Sequence, residues 1–129
     1  MVRDLDRGKA AGYITKAENS LRISRIALKE EAYDAAVMNA VHGAINSLDA
    51  LTTYFVGKRA SGAHTEVLSI IKGILTQSEY EEAKKQFNTL MSMKNQSEYQ
   101  PDLMSSKDAE STIKLAERIL AKVKAKIQS

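Results

Sequence analysis

The chain has 129 residues, with two histidines and no cysteine, so it holds few groups suited to proton transfer at neutral pH. Histidine is the side chain whose ordinary pKa lies there, which makes His42 and His64 the first candidates for acid or base chemistry. His64 follows the glycine-bearing loop Gly57-Lys58-Arg59-Ala60-Ser61-Gly62 and falls near the start of a helix. A helix dipole disfavours a cation at that end, so His64 tends towards the neutral form that accepts a proton. Arg59, five positions earlier, could bind a phosphate oxygen nearby. In the structural alternative, Arg59 pairs with Asp49 or caps the second helix while His64 caps the third. Other chemistries fail on pattern. Without cysteine there is no disulfide framework and no thiolate-held zinc or iron–sulfur cluster. His-Glu-x-x-His is absent, and His42 with Asp49 gives a single seven-residue spacing, so no metal is expected. Neither a Gly-x-Ser-x-Gly elbow, a Walker A loop nor a dinucleotide fingerprint occurs, and no cofactor is expected.

A second candidate lies on the most apolar segment. At about 100° per residue, Asn39, His42, Asn46, Asp49 and Thr53 follow three-four steps along one stripe. The projection sets that stripe opposite the Val37, Val41, Leu48, Leu51 and Phe55 face, with a small-residue seam of Ala36, Ala40, Gly43, Ser47 and Ala50 between them. Solvent-facing helices normally carry Lys and Glu, whereas this stripe carries amides, an imidazole and one carboxylate. Such a stripe suits a groove, a subunit interface or a buried hydrogen-bonded network. Asn39, His42, Asn46 and Asp49 are the candidate ligand-binding residues.

The elements that must position these groups are helical, because apolar residues recur at steps of three and four and no segment alternates over a strand's length. The periodicity predicts helices over about Leu5 to Lys29, Glu31 to Val56 and His64 to Leu75. A fourth begins at a capping box of Ser78 and Glu81 and runs to about Lys94, before Pro101 disfavours helix at Gln100. Ser105 with Asp108 caps a fifth, whose seam is Ile113, Ala116, Leu120, Val123 and Ile127. The expectation is one all-α domain over residues 1–129, a five-helix up-and-down antiparallel bundle.

Composition agrees with a folded globule. An apolar content of 43% is too high for intrinsic disorder, and a net charge of +3 permits an anionic partner without specifying one. Lys122, Lys124 and Lys126 complement the last helix dipole and solvate its face, or touch phosphate. The N-terminus shows no apolar run behind its charges, and Ala35 to Gly57 holds too many hydrogen-bonding groups for a lone helix in hydrocarbon. A cytoplasmic protein without a membrane span is expected.

Four blocks, taken in order, resemble a HEPN-domain protein of the small stand-alone prokaryotic kind. They are Ala40 to Leu51, Gly57 to His64, Leu90 to Tyr99, and Ser105 to Ala109 continuing through Ala116 to Arg118. The resemblance runs from about Lys16 to Lys124. It implies an antiparallel helical homodimer in a family that includes RNA-cleaving toxins and inactive relatives that bind nucleotide or nucleic acid. RNase members of that family carry an Arg, often followed by Asn, then a short spacer and a His, with two copies meeting across the dimer. There the Arg steadies phosphate charge and the His moves a proton. The matching stretch here is Lys94-Asn95-Gln96-Ser97-Glu98-Tyr99, so by resemblance Lys94, Asn95 and Tyr99 stand at the catalytic positions. Lysine keeps the charge but lacks the bidentate fork, and a phenol is a poor base at neutral pH. The resemblance therefore implies a nucleotide- or RNA-binding protein with weak or no RNase activity, in a toxin–antitoxin or defence module beside an antitoxin or nucleotidyltransferase partner. The alternative is a non-catalytic dimeric interaction module that docks a partner protein.

Overall fold

The three-four apolar period is realised almost throughout the computed structural model, which describes residues 2–4, 7–60 and 65–128. A short strand β1 (Val2–Asp4) and a 3-10 turn (Arg7–Lys9) precede α1 (Ala10–Lys29) and α2 (Tyr33–Val56). Strand β2 (Lys58–Ala60), α3 (Thr65–Lys72), α4 (Gln77–Tyr99) and α5 (Ser106–Gln128) follow. The fold is all-α, as expected. Added to it is a ribbon in which Val2, Arg3 and Asp4 pair antiparallel with Ala60, Arg59 and Lys58, its second strand inside the stretch from Gly57 to Gly62 that the sequence reads as loop. Three residues per strand are too few to show alternation.

Cross-helix pairs give the directions. Arg25 meets Glu117 at 2.8 Å and Lys124 meets Glu18 at 3.0 Å, so α1 and α5 are antiparallel. Lys126 with Glu79 at 2.9 Å and Lys122 with Glu82 at 3.4 Å make α4 antiparallel to α5. The Met104 N–H donates to the Asp34 carboxylate at 3.2 Å, so α2 and α5 start at the same end. The four long helices thus alternate in direction, and the eight-residue α3 is a connector. Exposed pairs of this kind contribute only about 0–1 kcal/mol each, so the buried apolar face holds the bundle.

That face matches the predicted seams. Ala17, Leu21, Val37, Val41, Leu48, Leu51, Ile71, Phe87, Leu90, Ile113, Ala116, Leu120 and Val123 are buried. The small seam of α2 is what brings α1 close: a Cβ on Gly43 would lie 2.9 Å from Leu21 Cγ. Gly57 ends α2 at φ 70°, a left-handed cap that glycine adopts without a Cβ penalty. Three expectations change. The capping box of α4 is Thr76 with Glu79, not Ser78 with Glu81, since Thr76 takes the extended cap conformation and accepts from the Glu79 N–H. The same helix continues past Lys94 to Tyr99, where Gln100 turns extended before Pro101. Phe55 leaves the core face and is 37% exposed. The predicted beginning of the first helix at Leu5 lies outside the described residues; α1 itself starts at Ala10.

Candidate functional site

Helix α2 touches α1, α5, α4 and α3, and its polar stripe changes character along its length. At its first half His42 is exposed and Asn39 and Asn46 are half-buried. At its second half Asp49 is 5% and Thr53 0% exposed. The expectation of one continuous stripe opposite the core is therefore corrected at this second half. The 3-10 turn and β2 pack on the end of α2 and cover it.

The open half faces the end of α4. Lys94 donates to Glu98 at 2.9 Å, one helical turn on. The Glu98 carboxyl is held below the usual range chiefly by that hydrogen bond; desolvation opposes it, and Tyr99, the Lys94 charge and His42 add smaller lowering contributions. His42 and the α4 end thus share one electrostatic neighbourhood. Asn39 spends a side-chain N–H on its own helix, donating to the Ala35 carbonyl at 2.9 Å. Tyr99, the last residue of α4, is 73% exposed, and Asn95 is exposed.

The covered half is built differently. Asp49 lies 3.9 Å from the Arg59 guanidinium, one of the two structural roles open to Arg59. Burial drives the Asp49 carboxyl up to about 7, and the charges of Arg59 and Lys16 pull against it without cancelling it. Arg59 and Lys16 also stand over the Tyr13 ring, 5.9 and 5.7 Å from its centroid. The Thr53 hydroxyl and the Arg59 Nε are buried without a hydrogen-bond partner. Ser47 and Thr52 satisfy their hydroxyls on their own helix, at the Gly43 and Asp49 carbonyls.

The candidates therefore fall into two groups. Lys94, Asn95 and Tyr99 sit at the α4 end near His42, whereas Arg59 is engaged by Asp49. Seven residues, or about 10 Å of helix, separate His42 from Asp49. His64 lies outside the described residues. Glu98 as the partner of Lys94 was readable from the four-residue spacing. Tyr13 and Lys16 were not, because Lys16 reaches Asp49, and Tyr13 reaches Arg59, only through the close approach of α1 and α2. Among the described residues no three His, Asp or Glu side chains gather as for a metal ion, and no helix is long and apolar enough to cross a membrane.

Alternating long helices with a polar face partly open on the central one define the class as an antiparallel helical bundle. The HEPN domain family model matches residues 10–126, and the chain belongs to the HEPN-domain family. Comparison with curated proteins gave no match.

Proposed function

We propose that the groove between the open half of α2 and the end of α4 binds a nucleotide or RNA, and that the protein acts as a homodimer in a toxin–antitoxin or defence module with little or no RNA cleavage. The observation that carries the reading is the pairing of the Asn39-His42-Asn46 line, exposed at His42 and half-buried at the two amides, with a lysine already held by a carboxylate. Amide and imidazole groups recognise base and ribose edges by hydrogen bonding, while a lysine neutralised by Glu98 is a poor stabiliser of developing phosphate charge. Membership of the HEPN family supports the same reading. The test is titration of ATP, other nucleotides and short RNA oligomers, together with incubation on total RNA. Mononucleotide binding below millimolar that weakens at least about tenfold in His42→Glu, which puts an acid beside Glu98, is the expected result. RNA cleavage that disappears in Lys94→Ala would overturn the non-catalytic part. The exposed Ile23 and Ile26 on the outer side of α1 favour a second reading, a protein-docking module, which gains if no nucleotide or RNA binds.

A further inference from the structure

We propose that the end of the bundle made by the 3-10 turn, the first turns of α1 and the last turn of α2 is a separate surface for single-stranded nucleic acid. Phosphates follow Arg7, Lys9 and Lys16, and bases stack on Tyr54 and Phe55. Two open hollows share the 3-10 turn as a wall. One, about 460 Å³, is lined by Arg7, Gly8, Tyr54 and Phe55; the other, about 280 Å³, by Lys9, Gly12, Tyr13 and Lys16. Tyr54 and Phe55 hold each other edge to face at 5.0 Å and 80°, yet remain 42% and 37% exposed. Their free area is what a base would cover.

Charge agrees. Over residues 7–19 and 49–60 the carboxylates are Glu18, which meets Lys124 at 3.0 Å, and Asp49, which is buried against Arg59. Among the described residues Arg7 and Lys9 have no carboxylate partner. Lys16 is kept at the wall of its hollow by the Tyr13 ring. Gly12 adds an independent sign: a Cβ there would meet nothing within 4 Å, and alanine is favoured over glycine inside a helix. Packing therefore gives no reason for glycine, and its effect is to leave the hollow open.

The occupant follows from the same features. Rings stack only on unpaired bases, which selects a single strand over a duplex. Lys9, the N-cap of α1, stands seven residues before Lys16, about 10 Å along the helix axis, longer than one phosphate, which selects a strand over a mononucleotide. His42 lies thirteen residues, about 20 Å along α2, from Phe55, so this surface does not depend on the groove proposed above.

The experiment uses the full chain and fluorescence anisotropy with short labelled oligouridylate and oligoadenylate. An RNA duplex, ADP and phosphatidylserine–phosphatidylcholine vesicles serve as comparisons. Single strands are expected to bind at least about tenfold tighter than duplex or ADP, with a logarithmic salt slope near −2, as about three phosphate contacts give. Tyr54→Ala and Gly12→Gln should each weaken binding about fivefold or more, and Gly12→Gln should keep or raise the melting temperature. No strand binding below millimolar, equal binding of ADP or duplex, or capture by vesicles without strand binding would each overturn the proposal. Strand binding lost in His42→Glu but unchanged in Tyr54→Ala and Gly12→Gln would also overturn it, while supporting the groove.

Discussion

At Asp49, burial outweighs two nearby cations, and the carboxyl holds its proton up to about pH 7. An unfolded aspartate releases it near pH 4. Between those values the folded chain binds more protons than the unfolded one, so this group lowers stability as pH rises from about 4 to 7 and adds no further change above. Asp49→Asn cannot ionise. Its stability advantage over the natural chain is expected to grow by on the order of 2–3 kcal/mol between pH 5 and 8 in urea unfolding; an advantage that stays constant would show that Arg59 fully compensates the charge. Thr53 makes a simpler case. Its hydroxyl is buried without a partner, so Thr53→Val removes an uncompensated polar group and is expected to raise stability by about 1 kcal/mol. A loss of that size in the same unfolding experiment would mean that the hydroxyl is satisfied in solution.

Between elements, the two glycines of the α1–α2 pair predict opposite outcomes. Gly43→Ala brings a Cβ to 2.9 Å from Leu21 Cγ, in a side chain only 2% exposed, and is expected to cost about 1–2 kcal/mol after the helix-propensity gain. Gly12→Ala meets nothing within 4 Å and should gain up to about 1 kcal/mol. Thermal unfolding of both variants checks the pair; equal shifts would contradict the close α1–α2 contact. These elements also show what the sequence could and could not disclose. The seams of α2 and α5 were legible because burial follows the 3.6-residue period, and the Ser105–Asp108 box formed as read, with bonds of 3.1 and 3.0 Å. The cap of α4 was displaced because Thr76 and Ser78 both precede a glutamate at the right spacing, and only the backbone decides between them. Arg59 against Asp49 was legible as one option. The covering of Asp49 and Thr53 was not, since it depends on the ribbon and the 3-10 turn packing on the end of α2, a contact between segments about fifty residues apart.

Over the described residues, the surface divides into a polar face without lysine or glutamate on α2, a basic aromatic end, and flanks laced with ion pairs. A homodimer is expected at tens of micromolar in sedimentation, and a strictly monomeric chain would count against the dimeric reading. The proposal of little or no cleavage rests on two separated cations, Lys94 held by Glu98 at the end of α4 and Arg59 by Asp49 beside β2, with about 10 Å of α2 between His42 and Asp49. The most direct test of a binding rather than cleaving groove is one calorimetric titration of the chain with nucleotides and a short RNA, beside His42→Glu, with the RNA recovered and sized afterwards. Submillimolar nucleotide binding, weakened at least about tenfold by the substitution, with intact RNA recovered, is the result predicted. Equal nucleotide binding by both proteins, or shortened RNA from the natural chain, would contradict it.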